Sequence, residues 1–357
     1  MYDQQRSSPI IMQNENGPCP LVALVNTLVL SAPPGADPPL VRALTDRSEI
    51  SSDRLLEQLA DMVLATSGAT DDVERVLSLL PSLHTGLNIN PRFDGIFEES
   101  SELALFRVFS VDIVHGWLSD PDDKYVHAAV MAAESYEGAQ SVLVEAQELS
   151  AKAAAPLGLP ADELRVIERA GIISHFLAST ATQLTPAGLT FLADLLSPGG
   201  LAVLFRNDHF STIYKHPDSG QLFMLVTDAG FLTHKHAVWE SLSDVSGSRS
   251  EFFSGAFVPV GIAALDDKRP PPPSAASDDY ALAVQMQMRE DERLALEQQR
   301  RYERNAEARR AQPAARPAAR PAPAPAAARA RKARPADPAR PASAGRARRD
   351  KDKCVVM

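Results

Sequence analysis

The chain has 357 residues, 45% of them hydrophobic, which allows two domains or one large domain with appendages. Two cysteines exclude a disulfide-rich scaffold and a cysteine-rich zinc site. The net charge of -10 is unevenly divided: residues 1–268 hold 16 Lys and Arg against 35 Asp and Glu, whereas residues 269–357 hold 20 against 11. An acidic body argues against nucleic acid as a partner, because phosphate backbones bind basic surfaces.

Apolar periodicity predicts five helices before residue 200. The segment LVALVNTLVL is apolar on almost every side, so we expect its helix to be buried. Capping signals mark other helix starts: Asp53 and Asp71 suit the N-cap position, and Thr185 precedes Pro186. The predicted helices span residues 21–30, 53–64, 71–80, 161–173 and 185–196.

After residue 200 the pattern changes to short runs rich in β-branched and aromatic residues. These runs predict strands over 201–206, 210–215 and 221–227, with a turn at 216–220 between the last two. Helices first and an antiparallel sheet later predict an α+β fold.

The composition breaks at Pro270, so we predict one folded domain over residues 8–265. A Pro-rich linker (266–277) and a charged helix (278–310) follow. Residues 311–357 form the predicted tail, which we expect to be disordered because Ala, Pro and Arg fill 34 of the 39 positions in 311–349.

Cys19 lies in QNENGPCPLVALV, where Asn16 can cap a helix and Pro18 and Pro20 have φ angles preset for its first turn. A helix N-terminus stabilises a thiolate and lowers the thiol pKa. The alternative is a buried structural thiol, since free cysteines are often buried. Gln13, six residues upstream, can donate a side-chain N–H to an oxyanion.

A cysteine nucleophile needs a base, and the base needs a group that orients it. His209 lies in RNDHFSTIY between two predicted strands, where its imidazole can face a helix N-terminus from elsewhere in the fold. Its partner would be Thr227 or Asp228 on the next strand. The alternative is a turn histidine with no catalytic role. An early cysteine and a late histidine, with helices between them, follow the papain-like order.

Four sequence blocks resemble the MINDY family of deubiquitinases and occur in the family's order over most of residues 8–265. The resemblance implies a papain-like cysteine-protease fold that cleaves isopeptide bonds between ubiquitins, with a preference for lysine-48-linked chains. It implies no metal and no cofactor. The blocks are QNENGPCPL (13–21), HGWLSDP (115–121), LFRNDHFSTIYKH (204–216) and LVTDAGF (225–231).

The resemblance also assigns roles to single residues of this chain. Cys19 matches the nucleophile, His209 the general base, Gln13 the oxyanion-stabilising glutamine, and Thr227 the residue that completes the catalytic arrangement. Hydrophobic positions that contact ubiquitin in the family match Ile89, Trp117, Tyr136 and Phe205.

The segment DDYALAVQMQMRED (278–291) has an apolar stripe at helical spacing. It resembles the motif-interacting-with-ubiquitin helix, which members of this family carry after the catalytic domain. The alternative is an amphipathic helix docked on the catalytic domain. The residues that match the motif are Asp279, Tyr280, Leu282, Ala283 and Met286.

The last four residues, Cys354-Val-Val-Met, resemble a prenylation signal in which Met favours farnesyl. Basic residues upstream would supply the second signal that stable membrane binding needs. The alternatives for this basic tail are a solvated linker and a nuclear-import or nucleic-acid patch. The N-terminus lacks a secretory signal pattern, and no apolar run is long enough to span a membrane. We therefore expect a cytoplasmic protein, anchored to a membrane through farnesylated Cys354.

The leading hypothesis is a deubiquitinase in which Cys19 forms a thioester, Gln13 holds the oxyanion and His209 transfers protons. Two other classes stay open. A catalytically inactive adaptor would bind ubiquitin chains without cleaving them. A cysteine protease of unrelated substrates would have no use for a ubiquitin-interacting helix.

Overall fold

The structure is a computed structural model that describes residues 8–13, 19–33, 35–45, 47–66, 71–152, 159–261 and 353–357. These residues belong to one unit by their contacts, so residues 353–357 are part of the same unit as the predicted folded domain. The linker over 266–277, the helix over 278–310 and residues 311–352 of the predicted tail lie outside the described residues, and so does the predicted cap Asn16.

Within the described residues all α-helices lie before residue 200, and all but three of the strands lie after it. The helices are α1 (Cys19–Ser31), α2 (Pro39–Leu44), α3 (Ser52–Thr66), α4 (Asp71–Leu79), α5 (Ser82–Thr85), α6 (Leu103–Val108), α7 (Lys124–Met131), α8 (Tyr136–Lys152), α9 (Ala161–Ser179) and α10 (Pro186–Leu195). The strands are β1 (Ile11–Met12), β2 (Glu49–Ser51), β3 (Ile113–Val114), β4 (Leu201–Arg206), β5 (His209–Lys215), β6 (Leu222–Leu225), β7 (Trp239–Ser241), β8 (Phe252–Phe253), β9 (Pro259–Val260) and β10 (Lys353–Val356). None of the helices in the described ranges is long and apolar enough to cross a membrane.

All five predicted helices are present, and the α+β class is confirmed. Helix α10 begins as its sequence indicates: Pro186 is its first residue, and the Thr185 hydroxyl accepts from the Gly188 N–H at 3.0 Å. The predicted cap of α3 is wrong, because that helix begins at Ser52 and leaves Asp53 inside its first turn. The Ser51 hydroxyl accepts from the Arg54 N–H instead, at 3.3 Å.

A seven-stranded sheet holds the three predicted strands in the order β3-β4-β5-β6-β7-β8-β9. Strand β3 runs parallel to β4, and each later neighbour pair is antiparallel. A two-residue turn joins β4 to β5, with φ of 53° at Asn207 and 56° at Asp208. Positive φ at both positions is typical of a type I′ hairpin turn, whose twist matches the flanking strands. This turn makes His209 the first residue of β5.

A second sheet has three strands in the order β1-β10-β2. Its middle strand is the end of the chain, antiparallel to both neighbours, with Val355 opposite Met12 and Cys354 opposite Ile50. The expectation of disorder throughout 311–357 is therefore wrong for the last five residues. Cys354 is 1% exposed, so the accessible thiol expected for lipidation is not present in this conformation. Lipidation itself stays a prediction.

Helix α1 is buried and is fixed to both sheets by polar side chains. The Thr212 hydroxyl on β5 donates to the Ala23 carbonyl at 3.1 Å and contacts the Thr27 hydroxyl at 3.2 Å. On the other side, the Asn26 side chain accepts from the Ile11 N–H at 2.7 Å and donates to the Ile11 carbonyl at 2.9 Å. Each buried bond contributes on the order of 1 kcal/mol, and an orphaned partner costs about 1–3 kcal/mol.

His115 connects the loop before α7 to the core. Its Nδ1 accepts from the Trp117 N–H at 3.2 Å, so its Nε2–H donates to the Ile96 carbonyl at 2.9 Å. Both contacts suit a neutral imidazole. Burial disfavours the charged ring and lowers the pKa of His115 to about 4, from an ordinary value of 6.5.

We predict that His115 makes the fold sensitive to mild acid. Its stabilisation is complete above pH 6.5 and is lost as the pH falls towards 4, because the unfolded chain binds the proton first. The shift corresponds to about 3 kcal/mol. The non-titrating variant His115→Gln should therefore lose about 3 kcal/mol less unfolding free energy between pH 6.5 and pH 4, measured by urea denaturation. If the unfolding free energies of the two proteins fell equally with pH, His115 would not be the group responsible for the acid sensitivity.

Candidate active site

Cys19 is the first residue of α1, and its side chain is half-buried. The backbone N–H of Phe210 hydrogen-bonds to its sulfur, so the thiol lies against the residue that follows His209 in β5. Burial raises the pKa of the Cys19 thiol, and the N–H groups of Phe210 and Cys19 offset only part of that rise. The expectation that the helix N-terminus lowers this pKa is therefore wrong for the resting structure, because desolvation outweighs the N–H donors.

His209 stands at the tip of the β4–β5 hairpin, opposite Arg206. The turn is supported from outside the sheet, because the Gln183 side chain accepts from the Asp208 N–H at 3.3 Å. The imidazole reaches solvent, yet the surrounding protein desolvates it and lowers the pKa of His209, while the charge of Asp228 raises it. A neutral imidazole can accept a proton, and the nearby carboxylate favours the imidazolium that then forms.

Gln13 follows β1, and its backbone N–H donates to the Thr227 carbonyl at 2.7 Å. The next residue, Asp228, accepts from the Gly230 N–H at 2.6 Å and so caps a short 3-10 helix over Ala229–Phe231. This bond fixes the carboxylate whose charge acts on His209. Thr227 and Asp228 are the two alternative partners predicted for the histidine. The charge of Asp228 acts on His209, and the Thr227 carbonyl accepts from the Gln13 N–H.

The structure therefore places the four predicted catalytic residues on neighbouring segments, and their catalytic roles stay predictions. The Phe210 N–H hydrogen-bonds to the Cys19 sulfur, next to His209 in β5. The charge of Asp228 raises the pKa of His209. The neighbouring Thr227 carbonyl accepts from the backbone N–H of Gln13. A nucleophile, a base and an amide donor on three separate elements can support acyl transfer. In the described ranges, no group of three His, Cys, Asp or Glu side chains is placed to hold a metal ion.

Three of the four hydrophobic positions predicted to contact ubiquitin are buried. Ile89, Trp117 and Phe205 are 8%, 3% and 6% exposed, and the Trp117 Nε1–H donates to the Thr180 hydroxyl at 2.8 Å. Tyr136 is half-buried, with its ring centroid 5.4 Å from that of Trp117. In this conformation Tyr136 has the accessible side chain, whereas the other three support the surface around it. Their roles in ubiquitin binding stay predictions.

Sequence reasoning missed the residues that position the site. Asn26, Thr212 and Gln183 act through contacts with residues far away in the chain, so periodicity carries no signal for them. The Asn207-Asp208 pair between two strand-like runs was a usable signal, since these residue types tolerate the positive φ of a hairpin turn. The motif-matching residues Asp279, Tyr280, Leu282, Ala283 and Met286 lie outside the described part of the chain.

Comparisons with known proteins identify relatives of this chain. The MIY1 ubiquitin carboxyl-terminal hydrolase of Saccharomyces cerevisiae is 42% identical over 258 residues, covering 70% of this chain and 68% of that protein. The protein YGL082W of the same yeast is 39% identical, covering 71% of this chain and 65% of its own length. The MINDY-2 ubiquitin carboxyl-terminal hydrolase of Mus musculus is 36% identical, and the match covers 68% of this chain but 39% of that longer protein.

The chain thus spans about two thirds of the yeast relatives and a smaller share of the mouse protein. A sequence model of the MINDY deubiquitinases matches residues 1–257, which include every described element except β10 and the edge strand β9. Given this match over well more than half of its length, the chain belongs to the MINDY deubiquitinase family.

Proposed function

We propose that this chain is a cysteine-type deubiquitinase that hydrolyses polyubiquitin, preferring lysine-48 linkages, through a thioester on Cys19. The observation that carries the proposal is the thiol at the start of α1, hydrogen-bonded by the Phe210 N–H beside His209. The names of MIY1 and MINDY-2 as ubiquitin carboxyl-terminal hydrolases support the substrate class. The lysine-48 preference rests on the family resemblance.

In the proposed mechanism His209 first takes the proton of Cys19, because the resting thiol is protonated and the resting imidazole is neutral at pH 7. The sulfur attacks the carbonyl carbon of a ubiquitin C-terminal glycine. The side chain of Gln13 and a backbone N–H near Cys19 stabilise the oxyanion. His209 then protonates the departing lysine amine and afterwards activates the water that hydrolyses the thioester.

We propose a second ubiquitin-binding element in the segment after the catalytic domain. The sequence match at Asp279, Tyr280, Leu282, Ala283 and Met286 supports it. A helix that holds one ubiquitin while the active site processes its neighbour raises the effective concentration of a long chain.

The first test concerns the nucleophile. We expect Cys19→Ala to abolish cleavage of lysine-48-linked di-ubiquitin and to prevent the covalent adduct with a ubiquitin probe that carries a C-terminal electrophile. Binding of ubiquitin chains and the unfolding midpoint should stay close to those of the wild type. Cleavage by this variant would rule out the assignment, and a wild-type protein that binds chains without forming an adduct would be an adaptor. The linkage preference is measured by comparing the rates at which the wild type cleaves di-ubiquitins of different linkage.

The second test concerns the oxyanion. We expect Gln13→Ala to lower kcat by about 10²–10³-fold with little change in KM, because one donor to the transition state is removed. The exposed Gln147→Ala on α8 is the matched control and should leave both constants unchanged. An effect of Gln13→Ala on KM alone would make Gln13 a binding residue.

The third test concerns the resting protonation state. Because burial raises the thiol pKa, we expect the rate of Cys19 alkylation by iodoacetamide to keep rising with pH beyond the range of an ordinary cysteine. Mass spectrometry of the peptide that contains Cys19 separates this reaction from that of Cys354. A rate that reached its plateau below pH 7 would show that a thiolate–imidazolium pair already exists at rest.

The fourth test concerns the ubiquitin-interacting helix. We expect Ala283→Gly to slow cleavage of tetra-ubiquitin more than that of di-ubiquitin, because the methyl contact with an additional ubiquitin is lost. Glycine also costs a helix up to about 1 kcal/mol, so Gln287→Gly on the same segment serves as the matched control. If both substitutions slowed tetra-ubiquitin cleavage equally, the helix would act only as a spacer and would not bind ubiquitin.

A further inference from the structure

Strands β1 and β2 do not pair with each other, because β10 lies between them. Backbone bonds join β10 and its flanking residue to both sides: the Met357 N–H donates to the Ile10 carbonyl at 2.8 Å, the Ile10 N–H donates back at 2.9 Å, and the Val356 N–H donates to the Ser48 carbonyl at 3.0 Å. Adjacent strands lie about 4.8 Å apart, so removing β10 would leave a gap of one strand with unpaired backbone groups on both sides.

The side chains of this strand alternate between two apolar clusters. Cys354 and Val356 pack into the helical cluster that includes Leu21 and Ile50. Val355 and Met357 pack against the opposite cluster that includes Met12, Tyr214 and Trp239. The gap therefore accepts an extended segment with small or medium apolar side chains on both faces, which is how strand addition combines backbone bonding with side-chain selectivity.

The gap is also next to the proposed oxyanion donor. Gln13 follows Met12 directly, and Met12 lies opposite Val355 in the register. Backbone N–H and C=O groups of successive residues point to opposite sides of a strand. Those of Ile10 bond to Met357 in the tail, whereas the N–H groups of Ile11 and Gln13 point away from the tail and bond to Asn26 and Thr227. Strand β1 has only two residues and is held by hydrogen bonds on two sides. The tail supplies those of one side.

We propose that the gap between β1 and β2 is a strand-binding site, that residues 353–357 are its ligand, and that the bound strand positions Gln13. The tail segment is thus a positioning element supplied from the far end of the chain. Its role in catalysis rests on the proposed deubiquitinase function; its binding to the gap does not. A second consequence is that any reaction at the Cys354 thiol requires the strand to leave the gap, because that side chain is buried in the helical cluster.

Hydrogen exchange on the full-length wild-type protein tests the binding itself. We expect the amides of Val356, Met357 and Ile10 to exchange at similar rates, each at least roughly a hundredfold slower than in an unstructured chain. Exchange of Val356 and Met357 at the rates of an unstructured peptide would overturn the proposal. This measurement needs neither substrate nor substitution, so it holds whether or not the protein cleaves ubiquitin.

A pair of full-length variants tests the positioning role. Val356→Pro removes the N–H that bonds to Ser48, whereas Val356→Ile keeps that N–H and an apolar β-branched side chain. We expect Val356→Pro to lower kcat by roughly tenfold to a hundredfold, with KM changed less than about threefold, because small displacements of a catalytic group cost this much. Exchange at Ile10 should accelerate in parallel. Val356→Ile should stay close to the wild type in both readouts.

Rescue in trans separates positioning from general damage. The synthetic peptide Lys-Cys-Val-Val-Met should restore kcat and the protection of Ile10 in the Val356→Pro variant, and the same peptide N-methylated at its second valine should not. Wild-type kcat and wild-type Ile10 protection in Val356→Pro, or equal action of the two peptides, would overturn the proposal. If Val356→Pro proves unfolded in a denaturation curve, hydrogen exchange on the wild type still decides whether the tail is bound. If the wild type cleaves no ubiquitin, peptide binding and exchange decide the same point.

Discussion

The Asn26 side chain, fully buried in the middle of α1, makes two hydrogen bonds to the backbone of Ile11. A carboxamide is suited to this contact, because it donates and accepts in one plane and so imitates the edge of a neighbouring strand. Asn26 lies seven residues after Cys19, about two helical turns, on the same side of α1. Ile11 lies two residues before Gln13. One buried pair of bonds thereby fixes the position of the proposed nucleophile relative to the segment of the proposed oxyanion donor.

The opposite wall of the site depends on the hairpin between β4 and β5. Thr212 is bonded to α1, so β5 cannot slide along the helix, and the two-residue turn fixes where His209 appears. The same close packing explains the electrostatics. Atoms that hold the histidine and cysteine in place also exclude water from them, so both groups favour their neutral forms at rest. Ordering and desolvation therefore have one physical origin in this site.

Local signals in the sequence were sufficient to predict many of the helices and strands. The long helices and the strands β4 and β5 have strong periodicity, and the cap at Thr185 is a contact within one turn. The candidate residues Cys19, His209, Gln13 and Thr227 were found through sequence blocks, and the structure places them on neighbouring segments. Two-residue strands such as β1 and β8 have no periodicity to detect. The buried Asn26 and the bound tail depend on partners far away in the chain, where composition gives no information; the Ala/Pro/Arg-rich stretch instead suggested disorder up to the last residue.

Because β1 pairs with β10, it can be paired only long after it has been synthesised. Ile11 leaves the ribosome early, but its partner Val356 is synthesised 345 residues later. At about 5–20 residues per second, the delay is on the order of tens of seconds. Throughout that interval β1 has an unpaired edge next to two apolar clusters, a state prone to pairing with other chains. Contacts of such long sequence separation also form late in folding, so the pairing of β1 with β10 should be completed only after Val356 has been synthesised.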